Sequence, residues 1–264
     1  MDAAAVPVII VQLSDLHVTA AGQRNHYGID TNTAVARCLE HVRALPGTPA
    51  LVVASGELTD NGAREEYEQL RRLLAAAGMP VMLMAGNHDR REALRTTFPE
   101  HGYLNCDGRL HWHVDAGGLQ VIALDTLEEG AEGGRIGEPQ FCWLEAALSA
   151  AGDSPVMLLM HHPPVATGFR DLDRIALAAD DAHRLGALLR QHGRVIGIGC
   201  GHVHRAVQTV WQGIPVSVCP SAAFQARLRL GGGRFEASTD DPPAYHLHYW
   251  DGCSLVTHHV TAAS

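Results

Sequence analysis

The chain has 264 residues, 46% of them hydrophobic and 19% charged, which suits one large α/β domain over residues 1–264 better than two small ones. Its net charge is −9 and its 20 Lys and Arg are scattered, which argues against a nucleic-acid polymer or an anionic membrane as partner. No apolar run approaches the roughly 20 residues of a membrane span, and the first 15 residues lack a basic region followed by a cleavage site, so the cytoplasm is the expected location.

Residues 8–13 are apolar and β-branched, too short for a helix, and run into Asp15-Leu16-His17. Residues 20–30 form a polar loop containing His26 and Tyr27, which either lies over a site or is plain surface. Helical spacing follows over 31–44, capped by Asp30 or Thr31. A second strand, 50–54, leads to Gly56-Glu57, and Asp60 reads as the cap of the next helix, 63–77. Gly78-Met79-Pro80 stops that helix and launches a third apolar strand, expected to be central, which ends at Gly86-Asn87-His88-Asp89. Strand, helix, strand, helix, strand is the order that makes parallel pairs with right-handed crossovers.

Residues 110–115 and 119–125 read as a hairpin about Ala116-Gly117-Gly118, with His111 and His113 on one face. A helix over 138–150 precedes a strand over 155–160, which ends in His161-His162-Pro163-Pro164. A helix over 180–192 then feeds the strand 194–200 and the turn Gly201-His202-Val203-His204. Beyond 205, short segments at 206–211, 214–219, 224–230, 244–250 and 254–260 read as antiparallel strands. The six cysteines mostly sit in apolar runs and read as reduced core residues.

Five strand ends therefore carry carboxylates, an amide and imidazoles. Side by side in one sheet they would deliver these groups to a single rim, as a dinuclear metal centre requires. With no thiolate among them, the donors suit Fe, Mn, Zn or Co.

The ordered set Asp15-x-His17, Gly56-Glu57, Gly86-Asn87-His88-Asp89, His161-His162-Pro163-Pro164 and Gly201-His202-Val203-His204 resembles the calcineurin-like metallophosphoesterases. With the Tyr27-Gly28-Ile29-Asp30 loop, it is most similar to their bacterial class III cyclic-nucleotide phosphodiesterases and glycerophosphodiesterases. The resemblance implies a four-layer αββα sandwich with mixed sheets and an antiparallel C-terminal part. It also implies two metal ions, one held by Asp15, His17 and His204, the other by Asn87, His161 and His202, with residue 57 bridging. The implied reaction is hydrolysis of a small phosphodiester through a metal-bridging hydroxide, cyclic nucleotides ahead of glycerophosphodiesters. His88 would be the proton donor to the leaving alkoxide, with Asp89 setting its tautomer.

Position 57 departs from the family pattern, which has Asp where this chain has Glu57. The extra methylene moves the carboxylate by about 1.5 Å. A variant with an adjusted backbone, a weakened site with a labile second metal, and an inactive metal-binding relative all remain open. A phosphomonoesterase is a further alternative. It would need cations for the second phosphate charge, with Arg24, Arg90, Arg91 and Arg170 as candidates. The C-terminal strands make a homodimer or larger assembly an expectation.

Overall fold

The computed structural model describes residues 7–104 and 108–262, so the expectation for Cys106 lies outside the described residues. Two sheets are stacked face to face. The first joins β1 (Val8–Leu13), β2 (Leu51–Ser55), β3 (Met82–Met84), β12 (Ala244–Trp250) and β13 (Leu255–Thr261) in the order β13-β12-β1-β2-β3. The second joins β4 (Trp112–Ala116), β5 (Leu119–Leu124), β6 (Val156–Met160), β7 (Val195–Cys200), β8 (Val207–Trp211) and β9 (Ile214–Val218) in the order β4-β5-β6-β7-β9-β8. A two-stranded ribbon, β10 (Gln225–Ala226) and β11 (Ala237–Ser238), stands apart.

Side-chain alternation assigns each strand residue to a layer. In β1, Val8 and Ile10 face the opposing sheet while Val11 and Leu13 face the helices α1 (Thr31–Arg43) and α2 (Arg64–Ala77). In β6, Met157 and Leu159 point between the sheets. Val156, Leu158 and Met160 pack under α4 (Glu138–Ala151) and α6 (Ala179–His192). The result is the helix–sheet–sheet–helix order that the resemblance implies. The inner strands are apolar on both faces because both are covered.

The inter-sheet layer is not wholly apolar. Gln12 donates to Ser55 Oγ (2.9 Å) and to the Cys200 carbonyl (3.0 Å), tying β1 to β2 and to the facing β7. A buried amide whose hydrogen bonds are made costs little and fixes the two sheets in register.

The departures from the sequence reading have local causes. β3 is a three-residue edge strand rather than a central one, since β12 and β13 extend the sheet on the other side of β1. β9 runs parallel to β7, although the C-terminal segments read as antiparallel. Only two residues of 224–230 are strand. A short helix α5 (Arg170–Asp173) and the seven-residue α3 (Arg91–Thr97) complete the elements. Asp30 caps α1, accepting from Thr33 N at 3.1 Å. The N-cap of α2 is Ala63, whose N–H donates to Glu66, so Asp60 is not its cap. Cys38, Cys200 and Cys219 are buried and unpaired, whereas Cys142 and Cys253 are exposed rather than core residues.

Candidate metal centre

The loops after β1 and β2 continue the parallel pairing beyond the sheet: Asp15 N donates to Gly56 O (3.0 Å), His17 N to Glu57 O (2.9 Å) and Val18 N to Leu58 O (3.1 Å). This ladder brings Asp15, His17 and Glu57 to one rim. Gly56, at φ 107°, admits the His161 ring, which a β-carbon at that position would strike. From the facing sheet, the turn after β7 brings His202 and His204, and its backbone docks on Asp15, whose Oδ1 accepts from His202 N at 2.9 Å.

Two groups of donor atoms converge. Glu57 Oε2 lies 2.7 Å from His17 Nε2 and 3.0 Å from His204 Nε2, and those two nitrogens are 3.1 Å apart. Asn87 Oδ1 lies 3.2 Å from His161 Nε2 and 3.1 Å from His202 Nδ1. Glu57 Oε1 faces this second group, 3.5 Å from His161 and 3.7 Å from His202. Asp15 Oδ1 sits between the groups, 3.9 Å from both His161 Nε2 and His204 Nε2. The seven residues expected to ligate metal, Asp15, His17, Glu57, Asn87, His161, His202 and His204, are thus assembled at one place.

The imidazoles are held from behind. Nδ1 of His17 meets Asp60 Oδ1 at 3.0 Å, that of His161 the Ser55 carbonyl at 2.9 Å, and that of His204 the Phe224 carbonyl at 3.2 Å. Each outer partner fixes the tautomer that leaves Nε2 free to face the centre. The Asp15 backbone is itself anchored, its carbonyl accepting from Ser221 Oγ at 2.7 Å.

The electrostatics follow from burying so many ionisable groups together. Burial works against a charged His17, yet Glu57 and Asp60 raise its pKa to about 10. Glu57, despite its own burial, is held well below the usual carboxylate range by His88 and His17. Burial depresses His202, as it does His162, where the neighbouring His202 and His161 add to the effect. A cation satisfies this donor set better than protons do. Among the described residues, Asp15 Oδ2 and His202 Nε2 are buried without a hydrogen-bond partner, and four imidazoles crowd two carboxylates and an amide oxygen. The residues present therefore fit metal ions.

His88 and Asp89 do not behave as the pair that was expected. His88 Nδ1 donates to the Asp60 carbonyl (2.6 Å), leaving Nε2 toward the cleft, 3.9 Å from Glu57 Oε1. The Asp89 carboxylate is turned inward, where it accepts from Gly86 N (2.8 Å), Leu58 N (3.1 Å) and the Tyr67 hydroxyl (3.0 Å). Asp89 thus clamps the loops after β2 and β3 together, and the tautomer of His88 is set by Asp60.

His162 uses both ring nitrogens on the 126–134 loop, Nδ1 with Thr126 Oγ1 (2.8 Å) and Nε2 with the Glu132 carbonyl (3.2 Å). His111 stacks on Trp143 and His113 binds Gln120, away from the centre. Asp60, which read as a helix cap, belongs to the site, as do Phe224 and Phe235, which went unread. Asp60 carried a weak signal, three residues beyond Glu57 in the same loop. The two phenylalanines carried none.

The cleft over the centre encloses about 180 Å³. His26 and Tyr27 line it from the 20–30 loop, together with Glu132, Leu172, Ile175, Phe224 and Phe235. Among the described residues, no Lys or Arg lines it. Arg91 is spent on Asp125 at 2.8 Å. Arg24 faces a neighbouring groove and Arg170 another.

The family profile described as calcineurin-like phosphoesterase matches residues 9–206. The chain belongs to that family. Among calcineurin-like phosphoesterases, it is 32% identical over 252 residues to a protein of Arcobacter nitrofigilis named a probable glycerophosphodiester phosphodiesterase, covering 95% of this chain and 92% of that one. It is 29% identical over 218 residues to the 3',5'-cyclic adenosine monophosphate phosphodiesterase of Pseudomonas aeruginosa, covering 83% and 77% of the two chains. The fold is also that of a dimetal phosphatase from Danio rerio, with a TM-score of 0.71 at 15% identity over 99% of this chain and 98% of the other.

Proposed function

We propose that this calcineurin-like phosphoesterase hydrolyses small soluble phosphodiesters, cyclic nucleotides ahead of glycerophosphodiesters, at a two-metal centre. Asp15, His17 and His204 would hold one ion, Asn87, His161 and His202 the other, and Glu57 both. Bound there, ions such as Mn, Fe, Zn or Co would neutralise phosphate charge and make water a nucleophile at neutral pH.

The observation that carries the diester reading is the lining of the cleft, which holds no Lys or Arg among the described residues. A phosphodiester brings one negative charge and a phosphomonoester at neutral pH nearly two. A cleft with no Lys or Arg in its lining favours the former. The names of the relatives point the same way.

The protein's own groups then have defined tasks. His88 is half-exposed, and with Nδ1 engaged by the Asp60 carbonyl its cleft-facing Nε2 carries a proton only in the imidazolium form. In that form it can donate to a departing alkoxide, a contribution of about 10²- to 10⁴-fold in rate. Asp60 orients both His17, through its carboxylate, and His88, through its carbonyl. Of the three readings of Glu57, its contacts favour an adjusted variant over an inactive relative, because the longer side chain presents one oxygen to each group of imidazoles.

The finer setting is part of the same proposal. The unpaired cysteines suit a reducing compartment such as the cytoplasm. The unpaired edges of β8 and β13 offer strands along which two copies could associate. Among the described residues, no helix is long and apolar enough to cross a membrane.

The test is hydrolysis of bis(p-nitrophenyl) phosphate and of p-nitrophenyl phosphate by metal-stripped protein titrated with Mn²⁺. The expected result is metal-dependent turnover with kcat/KM about tenfold or more higher for the diester, a difference of about 1.4 kcal/mol in transition-state stabilisation. Faster turnover of the monoester would overturn the reading, as would activity indifferent to metal. Glu57→Gln is expected to bind no more than one ion per chain.

A further inference from the structure

One wall of the cleft has no task in phosphate chemistry. Phe224 lies directly against the imidazoles, its ring centroid 4.6 Å from that of His204 and 5.1 Å from that of His17. Tyr27 and Phe235 extend from it, 5.7 Å and 6.5 Å from Phe224 and 5.9 Å from each other. His26 packs on Tyr27, with ring centroids 3.7 Å apart, and also lines the cleft. Leu172 and Ile175 continue the apolar lining.

Phe224 is buried, yet Tyr27 is 43% exposed although three rings surround it. A large aromatic side chain left open beside a polar centre is an informative departure from ordinary burial. The wall starts at the ligand imidazoles, so a substrate whose phosphate meets Glu57, Asn87 and the histidines has its organic arm against these rings. Resting on the phosphodiesterase reading, we propose that Tyr27 and Phe235, seated on Phe224, are specificity-determining residues that stack a planar, uncharged heterocycle, the nucleobase of a cyclic nucleotide.

The chemistry separates the two diester classes. A nucleobase presents a π-face that stacks on an aromatic ring whatever its sequence of heteroatoms. A glyceryl arm has no such face and gains little from the wall. An alkylammonium arm could instead meet the rings through cation–π contact, which makes choline the discriminating control.

The experiment uses the Mn²⁺-loaded full chain and two readouts. Steady-state kinetics compare 3',5'-cyclic AMP with glycerophosphoethanolamine, and calorimetry follows the binding of adenosine and of choline, which carry no phosphate. In Tyr27→Ala and Phe235→Ala, KM for cyclic AMP is expected to rise about tenfold with a smaller change in kcat, and adenosine to bind about tenfold more weakly. The ratio of kcat/KM for cyclic AMP over glycerophosphoethanolamine falls accordingly, and Tyr27→Phe restores it. Equal losses on both substrates would overturn the proposal, as would absence of adenosine binding to the unaltered protein or preferential binding of choline. If the unaltered protein turns over neither diester but binds adenosine, and loses that binding in Tyr27→Ala, the wall stands and the phosphodiesterase reading falls.

Discussion

Asp15, His17, Glu57, His202 and His204 have φ between 44° and 74°, and among the described residues only Gln212 joins them as a non-glycine in the left-handed region. Asp and His tolerate that region better than most residues, whereas Glu gains nothing there. Each such residue costs of order 1–3 kcal/mol, so the strain is concentrated on the side chains that converge. Motif spacing made these five legible in the sequence, because a polar doublet at the end of an apolar run is a local pattern. The role of Asp60 was only weakly legible, since its partner His17 is 43 residues away and only the loop ladder brings them together. Asp60→Ala is expected to weaken Mn²⁺ binding about 10- to 100-fold by freeing the His17 ring, with Asp60→Asn in between. Calorimetry on the two variants checks this, and an unchanged affinity for Asp60→Ala would remove Asp60 from the site.

Among the elements, β12 illustrates how a strand can be read correctly and still be misjudged. Its place as a strand was legible, but nothing in its sequence marked His246 and His248 as buried inside the fold, which they are. His248 meets Gln12 Oε1 at 3.1 Å and Thr257 Oγ1 at 2.8 Å, while both ring nitrogens of His246 lack a partner among the described residues. Burial drives both pKa values down to about 3, with His259 adding to the effect at His246 and His246 to that at His248. The unfolded chain takes up these protons near pH 6.5 and the folded chain only near 3. Their stabilising effect is therefore complete above about pH 6.5 and is lost as pH falls through that window. Between pH 7.5 and 5, each such group removes about 2 kcal/mol. His246→Leu is expected to flatten this fall and to leave stability at pH 7.5 unchanged or slightly higher, since an unpartnered polar ring is replaced by an apolar side chain. Urea midpoints at the two pH values give the answer, and a variant that tracks the parent would refute it. The parallel placing of β9 escaped the sequence for a different reason: strand pairing is decided by which edge is free, and β7 offered one.

At the scale of the whole molecule, the centre lies where the two sheets meet. The first sheet and its loops supply Asp15, His17, Glu57 and Asn87, and the second supplies His161, His202 and His204. An ion bound to both sets holds the sheets together and offsets the left-handed strain. Ligand at about 100 times its Kd adds about 2.7 kcal/mol to stability, which corresponds to a rise in Tm of roughly 5–10 °C for a chain of this size. Thermal melts with Mn²⁺ and with a chelator are expected to differ by that amount. A difference below 1 °C would show that the cluster does not bind the ion tightly. The layered architecture was legible because alternation and helix order are encoded locally, and the family pattern added the stacking of two sheets.

β12 pairs with β1 from the far end of the chain, as the His248–Gln12 contact across 236 residues shows. Every candidate ligand has been synthesised by His204, yet the strand that carries Asp15 and His17 lacks one neighbour until Ala244–Trp250 emerges. Such distant pairings form late. A nascent chain on the ribosome therefore carries all the candidate ligands before it has the frame to set them, so any metal capture that needs this frame waits for β12.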